Sequence, residues 1–147
     1  MPTNILRKVN KPKTRSLAKS GSVRRHAILR AGRFSVQIAL HETMTADLIW
    51  RALPLFSVVE TWGGSLHFDT PVRGGRDRTA RLNAQPGDVC FWSEDERIMI
   101  VWGATPISRA NEIRLMRPCN IWGHAIEDAS VLSPVTAGEK VALERLG

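Results

Sequence analysis

The 147-residue sequence has no tyrosine and only two cysteines. Cys90 and Cys119 allow at most one bridge, and neither belongs to a C-x-x-C pair, so a disulfide-stapled scaffold is excluded. No apolar run approaches the roughly 18 to 20 residues that a membrane-spanning helix needs. That excludes a helical integral membrane protein, and predicts a soluble chain with a cytoplasmic home and no membrane partner. The sequence also lacks a Gly-x-Gly-x-x-Gly turn, a phosphate-binding Gly-Lys loop and a Gly-x-Ser-x-Gly elbow. Nucleotide binding or hydrolysis through any of those devices is therefore not expected.

Acidic residues are missing from the whole of 1–33, where ten Lys or Arg stand, so that segment carries +10 of a chain whose net charge is +7. The remainder is mildly acidic at −3. Rich in Lys, Arg, Ser and Pro and poor in apolar residues, the first 33 residues cannot bury enough surface to offset their ordering entropy, and read as a disordered basic extension. Such an arm is a candidate for weak contact with nucleic-acid phosphates, although it offers no interleaved aromatics for base stacking. Its composition also fits a transit peptide. The twin arginines Arg24 and Arg25 precede only Ala27, Ile28 and Leu29 before the next charge, too short a stretch for a secretion signal.

Beyond the extension, strand patterning dominates. Phe34, Val36, Ile38 and Leu40 alternate with Ser35, Gln37, Ala39 and His41, which predicts a strand with one buried face. Thr43 or Thr45 can cap a helix whose stripe is Met44, Leu48 and Ala52 with Ile49 and Leu53, and Pro54 ends it. Strands are expected at 57–61 and 65–68, a polar excursion at 69–87 with a short strand near 80–84, and a hairpin of 89–92 with 98–102 about the acidic tip Glu94-Asp95-Glu96. A loop at 103–111, a short strand at 120–122 and a last strand at 140–146 complete the pattern. Short strands with one helix indicate a mainly β, closed antiparallel barrel over 34–147.

Several blocks run in order along the chain after the opening strand: Ala52-Leu53-Pro54; Glu60-Thr61-Trp62-Gly63-Gly64-Ser65-Leu66-His67-Phe68; Gly87-Asp88-Val89-Cys90-Phe91-Trp92; Trp102-Gly103-Ala104-Thr105-Pro106-Ile107-Ser108; Asn120-Ile121-Trp122-Gly123; and Gly138-Glu139-Lys140-Val141. Together they resemble a small bacterial family of cyclophilin-like barrels of unknown function. The resemblance implies an eight-stranded barrel closed by a helix. It does not carry over prolyl isomerase activity, because the Phe-His-Arg and Phe-x-x-Gln-Gly-Gly-Asp blocks of the isomerases have no counterpart here. Family members often bear an acidic residue where this chain has Ser65, so a site built on a carboxylate at that position is not expected.

His41, His67 and His124 are the histidines considered as metal ligands, but no two share an H-x-H or H-x-x-x-H spacing, and no metal or other cofactor is expected. Cys90 or Ser108 with His67 and Asp88 can be assembled into a nucleophilic triad on paper, without any positional signature to support it. Cys90, inside Val89-Cys90-Phe91-Trp92, reads as a buried thiol. The five tryptophans, Trp50, Trp62, Trp92, Trp102 and Trp122, read mostly as core. Trp62 and Trp102 each precede glycine, an arrangement that lets backbone approach a ligand closely. The expected binding site is accordingly Trp62, Gly63, Gly64, His67, Trp102, Thr105, Ser108, Arg109 and Asn120. Its expected occupant is a small polar ligand or short peptide, bound rather than converted. The alternatives are prolyl isomerisation and nucleic-acid binding through the basic extension, with a second copy of the chain as a further candidate partner.

Overall fold

The computed structural model describes residues 25–146. Strands β1 (His26–Ala31) and β2 (Phe34–Leu40) form a hairpin about Gly32, whose φ of 58° suits glycine. They are followed by α1 (Met44–Ala52), β3 (Leu55–Val58), β4 (Glu60–Thr61), β5 (Ser65–Asp69), β6 (Arg81–Ala84), β7 (Asp88–Trp92), β8 (Arg97–Val101), β9 (Ile113–Ala125), a 3-10 turn (Ala129–Leu132) and β10 (Lys140–Leu146). The strands pair in the order β3-β10-β1-β2-β9-β7-β8-β5-β4, with β6 attached to β9, and every ladder is antiparallel. The described residues are mainly β with one α-helix, as expected, but the pairing is an open path and not the expected closed barrel. Its two end strands, β3 and β4, are consecutive in the chain with only Val59 between them, and a strand cannot ladder with its own continuation. Val59 instead donates its N–H to the Glu139 carbonyl at 2.9 Å and accepts from Gly138 at 2.9 Å.

The boundary expected at residue 34 falls too late. Ala27, Leu29 and Ala31 are fully buried, alternating with His26, Ile28 and Arg30, and β1 pairs with both β2 and β10. The arginines around this short alternation led it to be read with the basic extension. Residues 1–24, where nucleic-acid contact was expected, lie outside the described residues. Moving Arg25, Arg30 and Arg33 to the fold leaves 25–147 with no net charge. The strand expected at 120–122 extends back to Ile113 as β9, and Pro118, which cannot donate to a ladder, sits where the register against β6 shifts between Arg114 and Cys119.

Helix α1 is capped by Thr43, whose side-chain oxygen accepts from the Ala46 N–H at 3.0 Å, and ends at Leu53, held extended before Pro54. Its buried side is Thr45, Ala46 and Ile49; of the expected stripe Ile49 and Leu53 are buried, Leu48 and Ala52 only half-buried against the core, and Met44 is 73% exposed. This orientation follows from Thr45, whose hydroxyl is claimed by buried polar partners described below. Two cores result. The larger collects Leu29, Val36, Ile38, Ile49, Phe68, Phe91, Ile98, Leu132 and Trp122. A smaller one, on the opposite face of β7 and β8, holds Cys90, Trp92, Met99, Val101, Ile113, Leu115, Cys119 and Ile121. Covered on both faces, β7 and β8 are apolar at successive positions, so alternation fails there for a physical reason. No described helix is long and apolar enough to cross a membrane.

Candidate functional site

The turn after β4 and the loop after β8 meet backbone to backbone. Gly64 donates to the Ala104 carbonyl at 2.7 Å, and its own carbonyl accepts from Trp102 at 2.8 Å and Gly103 at 3.1 Å. A Cβ on Gly64 would lie 2.5 Å from the Gly103 carbonyl carbon, and one on Gly63, whose φ is 58°, 2.7 Å from the Ala104 oxygen. The glycines expected to admit a ligand therefore admit the other loop. Trp62 and Trp102 are both half-buried, Trp62 against the smaller core and Trp102 against the larger.

Two hydroxyls expected to meet a ligand fasten the 103–112 loop. Thr105 Oγ1 donates to the Arg114 carbonyl at 2.6 Å, while Ser108 Oγ accepts from the N–H groups of Thr105 and Arg114, each at 2.9 Å. Beyond them opens a groove of about 730 Å³, lined by Trp102, Gly103, Ser108 and Arg109 from the expected set. Asn83, Gln85 and Asn111 add polar side chains that sequence reasoning missed. Asn111 carries a positive φ of 64°, a conformation that asparagine tolerates and that turns the loop back toward β9. The main-chain N–H of Arg109 donates to Glu112 at 3.0 Å, while its guanidinium has no carboxylate partner among the described residues.

The remaining expected residues stand elsewhere. His67 projects from β5 beside Arg97, with Nδ1 3.1 Å from the guanidinium, and edge-on to Trp92 at 6.2 Å between centroids. Arg97 also reaches Glu60 at 3.1 Å and Asp69 at 3.2 Å. Burial, then the Arg97 charge, hold the His67 imidazole below its ordinary pKa, with Glu60 and Asp69 opposing. Asn120 is fully buried under α1, where it accepts from the Asp77 N–H and donates to Thr45 Oγ1 and the Gly75 carbonyl, all at 2.9 Å. Thr45 donates onward to Asp77 at 2.7 Å. The Asp77 carboxyl, which burial alone would push up, is held below the usual range by bonds from Thr79 and Thr45. Asn120 is thus a structural clasp between helix, excursion and β9.

Both thiols are buried; burial pushes Cys90 far up and Cys119 up to about 12, so neither is poised as a nucleophile. The Ser108 hydroxyl and His67 occupy separate environments, and the triad drawn from them is not assembled. Of the three histidines considered for metal, the fold joins two: His41 Nε2 lies 2.9 Å from His124 Nδ1. No three His, Cys, Asp or Glu side chains stand together as a metal-binding group among the described residues.

Comparison with known proteins places this architecture. The chain is similar to the hypothetical protein AF2241 from Archaeoglobus fulgidus, with 27% identity and a TM-score of 0.74, covering 87% of this chain and 99% of that one. It is also similar to McbB, solved in complex with tryptophan, at 16% identity and a TM-score of 0.57, covering 82% of this chain and 45% of that one. At that identity the second likeness concerns the fold alone. No curated protein matches the sequence. A family model described as cyclophilin-like matches residues 26–144, from the first residue of β1 into β10, and the chain belongs to the cyclophilin-like family.

Proposed function

We propose that this cyclophilin-like domain binds a small anionic or polar ligand, or the charged end of a short peptide, in the groove between the 103–112 loop and the β6–β7 turn. One observation carries the reading: the groove is lined by both Trp102 and Arg109, whose guanidinium has no carboxylate partner among the described residues. An apolar wall beside an unpaired cation suits a ligand with a flat or aliphatic body and a carboxylate or phosphate. Asn83, Gln85 and Asn111 supply the amides that orient such a group. Binding without covalent chemistry fits the committed Ser108 hydroxyl and the raised thiols.

Thermal-shift and tryptophan-fluorescence screens against small carboxylates, phosphates and short peptides test the reading. Arg109→Ala should remove a charge-assisted contact worth about 1.5 to 3 kcal/mol, a loss of roughly 10- to 100-fold in affinity. Trp102→Phe should blunt the fluorescence change. If no compound shifts the melting of the unsubstituted protein, or if Arg109→Ala leaves the affinity of a hit unaltered, the groove is not the binding site. A proline-peptide isomerisation assay on the same preparation separates binding from turnover.

A further inference from the structure

Three histidines far apart in the sequence are gathered by strand register. Ala39 in β2 is the direct partner of His26 in β1 and of His124 in β9, and Asp88 in β7 is the direct partner of His124. Directly opposed residues project to the same side of a sheet. The neighbours Ala27, Ile38 and Val89 are fully buried, so the row of His26, Ala39, His124 and Asp88 lies on the outer face. His41 stands just past the end of β2, fixed by its N–H to the Trp122 carbonyl at 2.9 Å. Its ring meets that of His124 with centroids 5.1 Å apart and Nε2 facing Nδ1 at 2.9 Å.

We infer that His41 and His124 form a two-imidazole site for a divalent transition metal of the zinc or nickel type. A hydrogen bond between two imidazoles means that one ring donates and the other accepts. When the donor ring takes its other tautomer, with the proton moved to its second nitrogen and none lost from the ring, two lone pairs are aimed into the same gap. With Zn–N bonds of about 2.0 to 2.1 Å at a tetrahedral angle, two ligand nitrogens sit roughly 3.3 Å apart. The observed 2.9 Å needs to open by only a few tenths of an ångström, and His124 is exposed and His41 half-buried, so their rings have room to adjust. Imidazole suits zinc, nickel and copper, whereas magnesium and calcium prefer oxygen. Asp88, beside His124, adds a negative charge to the site, and water fills the remaining positions. The site shares no lining side chain with the groove beside Trp102 and stands independently of it.

Calorimetric titration of the untagged full chain with zinc chloride, and separately nickel chloride, tests this. One equivalent per chain is expected. His41→Gln and His124→Gln should each weaken binding roughly 100-fold, and Asp88→Asn about tenfold, the lower end of what loss of an outer partner causes. His67→Gln should leave binding unchanged, since that ring sits with Arg97. Circular dichroism of each metal-free variant checks folding. Nickel broadening of imidazole resonances in the unsubstituted protein reads the site without any substitution, and should select His41 and His124. Absence of binding, broadening confined to other residues, or binding that survives the double substitution in a folded chain overturns the inference.

Discussion

Gly64 shows how one backbone position can be misread from sequence. A glycine after tryptophan suggests close approach of a ligand, and close approach is what occurs, but the approaching group is the backbone of Gly103. Adding a methyl group there forces the two loops apart. Gly64→Ala should destabilise the protein by about 1 to 3 kcal/mol, as overpacking does. Gly103→Ala, whose added Cβ meets only ordinary contact at 3.8 Å, should cost much less. Paired melting curves decide the matter, and equal Tm values would show that the junction yields.

His67 makes a pH prediction. Its folded pKa lies below the ordinary 6.5, chiefly through burial and then through Arg97. The unfolded chain therefore binds this proton first as pH falls, and the folded state loses stability progressively below about 6.5. Above that value the ring is neutral in both states and contributes no slope. The Tm of the unsubstituted protein should fall between pH 7 and the folded pKa, and His67→Gln should flatten that part of the curve. A slope indifferent to the substitution would assign it to another group.

Among the elements, the hairpin of β7 and β8, the strand β2 and the helix stop at Pro54 were legible in the sequence, because alternation, an acidic turn and proline act within a few residues. What was illegible depended on distant partners. The buried side of α1 is set by Asn120, 75 residues away from Thr45, and no helical period contains that information. The strand β1 was hidden by its small residues, since Ala27 and Ala31 bury little surface and look unremarkable beside four arginines. Its ladders to β2 and β10 make it indispensable to the sheet. A chain starting at residue 33 should fail to give a cooperative melting transition, whereas one starting at residue 25 retains every described strand. Cooperative melting of the shorter chain would show that β10 and β2 can close without β1.

At the scale of the whole molecule, the expected nine-residue site divides into three places: the junction and groove from Trp62 to Arg109, the Arg97 cluster at His67, and the clasp at Asn120. Residue types alone identified surfaces with polar chemistry but could not show which hydroxyls the fold had already used. Thr105 and Ser108 look available in sequence and are bonded in the structure, while Asn83 and Asn111 look ordinary and line the groove. Of the three histidines considered for metal, which two meet was likewise illegible, because register between the adjacent strands β2 and β9, not spacing along the chain, brings the rings of His41 and His124 together.

The open ladder also bears on self-association. A sheet that ends in long bare strands offers its unpaired backbone as a template for other chains, the usual origin of edge-to-edge aggregation. Among the described residues, the strands paired on one side only are β3, β4 and β6, with four, two and four residues. Exposed Glu60 on β4 and Arg81 on β6 place charge on two of these short borders. Because the sheet begins and ends on either side of Val59, its two termini amount to one brief segment of chain, and little backbone is left for a neighbouring molecule to extend.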